Sequence, residues 1–97
     1  MSIRFHVEAH AELLEAARWY DLQRAGSGGK FLRAIYSAAV SAAQHPLRAN
    51  ADQDGFRRRT IKPYPYWLVY EAHPTYIMIF AVSHHRRDPA YWVNRIH

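Results

Sequence analysis

The sequence predicts an α+β fold of the order β-α-α-β-β-β, in which a helical hairpin packs on one face of a small, mainly antiparallel sheet. Apolar residues alternate with polar ones near the N-terminus, recur at helical spacing over the next two stretches, and fill three strand-like runs in the second half. A short helix is expected after the last strand. At 97 residues the chain can bury one core, so residues 1–97 are expected to form a single domain.

The first strand is predicted from a period of two. Ile3, Phe5 and Val7 are apolar, and they alternate with Arg4 and His6. Successive side chains of a strand point to opposite faces, so this alternation places the apolar residues together on one side. We therefore expect a short strand that buries one face.

Two helices follow, joined by a glycine-rich turn. From Glu8, apolar residues recur at helical spacing as far as Tyr20, which predicts the first helix. Residues 26–29 include three glycines, and glycine supplies the positive φ that a chain reversal needs. The second helical pattern runs to Gln44, where Pro46 prevents continuation. The alanines of both helices are small enough to permit close packing, so a helical hairpin is expected.

Three strands are predicted in the second half, at about residues 56–62, 66–72 and 76–82, with proline-containing turns between them. This order suggests an antiparallel meander. The last run is apolar on both faces, so it is expected at the centre of the sheet beneath the helices. The opposite face of the sheet is expected to stay open. Asp88 and Pro89 then favour the start of the short terminal helix, as N-cap and first helical residue.

Composition restricts the classes of function. The formal net charge of +5 favours acidic partners such as nucleic acid or an acidic protein. The chain has no cysteine, which excludes disulfides, thiolate catalysis and cysteine zinc sites. No apolar run reaches the length of a membrane span and no signal segment is apparent, so a cytoplasmic protein without membrane association is expected. His84 and His85 lack a third ligand at suitable spacing, so neither a metal nor a cofactor is expected.

Two basic, aromatic-rich segments flank the last two predicted strands, one at residues 57–66 and the other at 83–92. If these strands are sheet neighbours, the segments lie side by side. Strand alternation puts Arg58 and Lys62 on one side and Arg57 and Arg59 on the other. The pattern favours recognition of phosphate or carboxylate groups. The alternative is an edge strand whose positive charges prevent aggregation with other chains. The candidate target-binding residues are Arg57, Arg58, Arg59, Lys62, Tyr64, Trp67, His84, His85, Arg86, Arg87, Tyr91 and Trp92.

Three stretches resemble, in their order and spacing, the RelE/ParE superfamily of type II toxins, the toxic halves of bacterial toxin–antitoxin pairs. They are residues 11–20 (AELLEAARWY), 64–70 (YPYWLVY) and 82–92 (VSHHRRDPAYW). The resemblance spans nearly the whole chain. The Pro-Tyr strand entry and the ending Arg-Arg-Asp-Pro-Ala-Tyr-Trp look more like the ParE branch, which is associated with plasmid stabilisation.

The resemblance to the ParE branch implies a toxin without intrinsic catalysis that inhibits DNA gyrase, and so replication, by protein–protein contact. The alternative is a RelE-like endoribonuclease that cleaves mRNA on the ribosome. For that activity Arg58, Arg87 and Tyr91 match the family's catalytic residues, and His85 would serve as the acid–base group, as histidine does in some family members. Thr60, Trp67 and His85 replace cations of the nuclease pattern, which favours the ParE-like interpretation.

Either branch implies a cognate antitoxin whose C-terminal segment wraps the toxin, and the basic surface suggests that this segment is acidic. Among the large residues of the two helices, Trp19 and Tyr36 are the expected antitoxin contacts. Tyr20 and Phe31 are better explained as core residues. An inert remnant that retains only antitoxin binding is a third interpretation that the sequence leaves open.

Overall fold

The computed structural model describes residues 1–95 and confirms the predicted order of elements. These are β1 (Ser2–Phe5), α1 (Val7–Gln23), α2 (Ser27–Gln44), β2 (Arg57–Thr60), β3 (Tyr66–Ala72) and β4 (Tyr76–His84). The strands form one sheet in the order β1-β4-β3-β2. β1 is parallel to β4, and the other two pairings are antiparallel. The sheet is therefore mainly antiparallel, as expected.

The N-terminal boundary differs from the prediction. Val7 was expected in the first strand, but it is the first residue of α1 and its side chain is 77% exposed. The chain turns at His6, whose Nδ1 accepts a hydrogen bond from the backbone N–H of Glu8 at 3.1 Å. Since this bond satisfies one of the N–H groups left free at a helix start, it fixes the beginning of α1.

The turn between the helices is shorter than the glycines suggested. Among the three glycines of this turn, Gly26 alone has a positive φ, of 89°, and α2 starts at the next residue. Gly28 is buried against α1, where its N–H donates to Asp21 Oδ1 at 2.8 Å. A Cβ at this position would lie 2.4 Å from the carbonyl oxygen of Ala17. Gly28 is thus required for close helix packing and not for chain reversal.

The main core lies between the helical hairpin and the sheet. Ile77 and Ile79 of β4 pack there together with Leu13, Phe31 and further apolar residues of both helices. β4 occupies a central position with β1 and β3 on its two sides, as its apolar character on both faces predicted. The opposite face of this strand carries Phe80, which belongs to a second core.

That second core corrects the expectation of an open sheet face. The chain after β4 returns across the sheet and inserts Trp92, which is 1% exposed and packs with Phe56, Val69 and Phe80. The predicted terminal helix does not form. Residues 88–95 make successive turns instead, with bonds from Tyr91 N to Asp88 O and from Arg95 N to Trp92 O. Covering this apolar face is more favourable than leaving it in water.

Candidate functional site

The two basic segments meet in space, as the sequence predicted. The rings of Trp67 in β3 and His85 after β4 are 4.5 Å apart. Across the same region, Arg58 Nη2 of β2 donates to the carbonyl oxygen of Pro89 at 2.8 Å. Residues about thirty positions apart are therefore neighbours on this face of the sheet.

The three arginines of β2 diverge, as strand alternation requires, and each donates to an acceptor within the protein. Arg57 Nη1 donates to the Ala49 carbonyl oxygen at 2.5 Å. Arg59 Nη1 donates to Ser41 Oγ of α2 at 2.7 Å. These contacts fix the loop before β2 and the end of α2. The run of cations is thus largely engaged in intramolecular bonds.

Arg58 lies between two indole rings. Its guanidinium carbon is 4.9 Å from the ring centroid of Trp67 and 5.0 Å from that of Trp92. Cation–π contacts of this kind are stronger when the cation is partly withdrawn from water. Together with the bond to Pro89, they attach the C-terminal turns to the sheet. Trp92 was predicted to contact a target, but its burial excludes it from such a surface.

Glu12 of α1 is the centre of a hydrogen-bond network that the sequence did not reveal. Its carboxylate accepts from Tyr91 Oη at 2.5 Å, from Arg95 Nη2 at 2.8 Å and from the Val82 backbone N–H at 3.1 Å. Arg87 Nη1 approaches it at 3.5 Å. The side chains of Glu12 and Arg95 are only 15% and 9% exposed. One carboxylate therefore joins the first helix, the central strand and the C-terminal turns.

The network determines the chemistry of Tyr91. Burial raises the pKa of Tyr91 to about 12, and the hydrogen bond to Glu12 acts in the same direction. The nearby Arg87 opposes this rise, with its guanidinium carbon 3.7 Å from the ring centroid. At neutral pH the phenol is therefore a neutral donor that is already bonded to Glu12. It is not poised to act as a phenolate base.

A group of exposed basic residues lies in the turn that follows β4. His85, Arg86 and Arg87 are exposed, whereas His84 is half-buried against the Tyr66 ring at 5.0 Å. His84 Nδ1 accepts from the Arg86 backbone N–H at 3.0 Å, which orders the turn. We call residues 84–87 the basic turn. Beside it, a groove of about 250 Å³ runs between α1 and the sheet.

Comparison with known proteins identifies the family. The family model described as "ParE toxin of type II toxin-antitoxin system, parDE" matches residues 3–89. The chain belongs to the ParE toxin family. No curated protein matches the chain in sequence.

The fold of this ParE-family toxin is also found in a solved structure described as "Chromosomal ParDE TA system from P. aeruginosa". The TM-score is 0.74, the sequence identity is 17%, and the match covers 87% of this chain and 95% of that one. At such low identity the likeness establishes the fold only.

Among residues 1–95, neither helix combines the length and apolar character needed to cross a membrane.

The remaining predicted contact residues of the ParE-family toxin have different surroundings. Trp19 and Tyr36 are 55% and 47% exposed, so both are accessible to a partner. Tyr64, predicted at the target-binding surface, is half-buried among helix-side rings, 5.2 Å from Tyr20 and 5.0 Å from Phe31. Tyr20 and Phe31 pack in the main core, as the sequence suggested.

Proposed function

We propose that this type II toxin inhibits DNA gyrase by protein–protein contact, without catalysis of its own, and that a cognate antitoxin neutralises it. The observation that carries the proposal is the engagement of the nuclease-type residues in packing. Arg58 lies between two indole rings and donates to Pro89. The Tyr91 hydroxyl donates to Glu12.

A ribonuclease of the RelE type needs cations that reach a phosphate and a group that activates the ribose hydroxyl. The stacked Arg58 would have to leave both rings to reach a phosphate. The Tyr91 hydroxyl is already bonded to Glu12, and burial and this bond raise its pKa further from neutral pH than the ordinary tyrosine value. These properties favour a surface that acts by contact.

The basic turn is the part of the surface best suited to that contact. Arg86 is exposed, and the Arg87 side chain is 54% exposed. Exposed cations at an interface rim accelerate association with an acidic partner and contribute modestly to affinity. We therefore expect the basic turn to face gyrase.

A supercoiling assay with purified gyrase tests this proposal. Arg86→Gln should raise the toxin concentration needed for half-inhibition by roughly fivefold, the upper range for one exposed charge. The matched control is Arg48→Gln, an exposed arginine in the loop after α2, which should leave inhibition unchanged. Supercoiling that continues at saturating toxin, with mRNA cut on ribosomes in a parallel assay, would refute the proposal in favour of the nuclease.

The antitoxin contact is proposed at the exposed aromatic residues of the two helices, Trp19 and Tyr36. Large aromatic residues commonly anchor interfaces, and their truncation costs about 2 kcal/mol or roughly 30-fold in affinity. Trp19→Ala and Tyr36→Ala should weaken binding of the antitoxin encoded beside the gene by that factor. Leu47→Ala is the control, because Leu47 is 68% exposed and lies outside both helices. If Trp19→Ala and Tyr36→Ala bind the antitoxin as tightly as Leu47→Ala and the parent protein do, the antitoxin binds elsewhere.

A further inference from the structure

A second groove lies between α2 and β2. It has a volume of about 400 Å³. Its lining combines two cations, three hydroxyl groups and three apolar side chains, and none of the described residues that line it is acidic. The lining residues are Ala34, Ser37, Ala38, Ser41, Arg59, Thr60, Ile61 and Lys62. We call this the α2–β2 groove.

Arg59 gives the groove an incompletely satisfied cation. Its Nη1 donates to Ser41 Oγ at 2.7 Å, while its Nε is buried without an acceptor. Within residues 1–95, no carboxylate lies within ion-pair distance of Arg59. Partly buried charges are normally paired, because withdrawing them from water is costly. The missing counter-charge points to an anionic ligand.

The other lining residues suit a phosphate group. Lys62 is exposed and adds a second positive charge. It was predicted on the Arg58 side but lies with Arg59, because β2 ends at Thr60 and strand alternation does not continue to Lys62. Ser37 and Thr60 also line the groove and carry hydroxyl groups. A tetrahedral phosphate accepts several hydrogen bonds at once, which matches a mixed set of guanidinium, ammonium and hydroxyl donors. Small alanines at 34 and 38 leave room for the ligand to approach α2.

We propose that the α2–β2 groove is a phosphate-binding site. It is separate from the sheet face that carries Arg58, because Arg59 points to the helix side and reaches Ser41. The site goes beyond the proposed gyrase contact and does not depend on it. Its ligand is a phosphate group, carried either by a small molecule or by the backbone of a nucleic acid.

The test is a titration of the ¹⁵N-labelled full chain with inorganic phosphate at constant ionic strength and pH 7. The amide resonances of Ser37, Ser41, Thr60 and Lys62 should shift with a saturating curve. Lys62→Gln should weaken binding roughly fivefold, and Arg59→Gln by about tenfold or more, since the partly buried cation is less screened. Lys30→Gln removes the same charge from an exposed position of α2 outside the groove and should leave affinity unchanged.

The two lysine variants keep the test decisive even if Arg59→Gln does not fold. Shifts that rise linearly without saturation, or an equal loss in both lysine variants, would overturn the proposal and indicate general attraction of anions to a basic chain. Competition with a short single-stranded oligonucleotide then separates the two sources. Displacement of phosphate identifies a nucleic-acid backbone, and no displacement identifies a small phosphate ligand. Because gyrase is absent, failure of the gyrase proposal would not affect this result.

Discussion

Replacing Glu12 by glutamine tests whether one carboxylate holds the C-terminal turns in place. Glu12 accepts from Tyr91, Arg95 and the Val82 backbone, and its side chain is 15% exposed. The substitution keeps the size of the side chain and one acceptor oxygen. It removes the charge that faces Arg95, whose side chain is 9% exposed.

The expected loss follows from these contacts. Leaving one partner of a buried ion pair uncompensated costs about 3–5 kcal/mol. Glutamine retains an acceptor, and Arg95 Nε keeps its bond to Glu8 at 2.9 Å, so the loss is smaller. We expect Glu12→Gln to lower the free energy of unfolding by about 2 kcal/mol, or the melting temperature by roughly 10 °C.

Urea denaturation measures this loss, and Glu15→Gln is the matched control. Glu15 lies on the same helix but is exposed, so its neutralisation should change stability by less than about 0.5 kcal/mol. An NMR titration of ¹³C-labelled tyrosine adds an independent observation. The Tyr91 midpoint should fall from about 12 in the parent protein. It should not reach 10, because burial, the largest cause of the rise, remains.

Two results would refute the argument. One is an equal denaturation midpoint for the two glutamine variants. The other is an unchanged Tyr91 titration midpoint in Glu12→Gln, which would show that the Tyr91 hydroxyl is not bonded to Glu12 when the protein is in solution.

Three further predictions concern helix packing, the C-terminal turns and pH. Gly28→Ala should destabilise the fold by about 1–3 kcal/mol through overpacking, whereas Gly29→Ala, whose added Cβ meets its nearest neighbour at 3.7 Å, should be neutral or stabilising in thermal melts. Arg58→Met should cost about 1–2 kcal/mol in urea denaturation and increase the exposure of Trp92 to a fluorescence quencher; unchanged quenching would contradict the stacking. Because the folded pKa of Tyr91 is raised, its stabilising contribution is present below pH 10 and is lost as pH rises from 10 to about 12. Tyr91→Phe should show a smaller loss in melts across that range, because burial also raises the pKa of Tyr20 and of Tyr66 and these two tyrosines still contribute.

Local pattern was sufficient for the helices and strands. Periodicity predicted α1, α2, β3 and β4 in order, and the apolar character of β4 predicted its central place. These features depend on side chains a few residues apart, whose spacing determines which face can be buried. The strand residues Arg58 and Arg59 also fell on opposite faces for this reason.

The boundary between β1 and α1 and the structure of the last segment were not predicted correctly from the sequence. Val7 continues the alternating pattern of the first strand, but in the structure it is the first residue of α1, because His6 caps that helix. The terminal helix predicted from Asp88 and Pro89 was replaced by turns. A cap residue favours a helix start, but burial of Trp92 against the sheet determined the path of the chain there.

Sequence by itself determined the order of elements, the basic character and the resemblance to ParE toxins, because each is written in adjacent or regularly spaced residues. Only the tertiary structure decided which charges remain available. Glu12 meets Tyr91 and Arg95 across 79 and 83 positions of sequence, a pairing that no local spacing encodes. The sequence predicted Arg58 and Trp92 at a binding surface, but in the structure they pack against each other. Arg58 and Trp92 are far apart in the sequence and come into contact only in the folded sheet, so their packing role could not be predicted from local spacing.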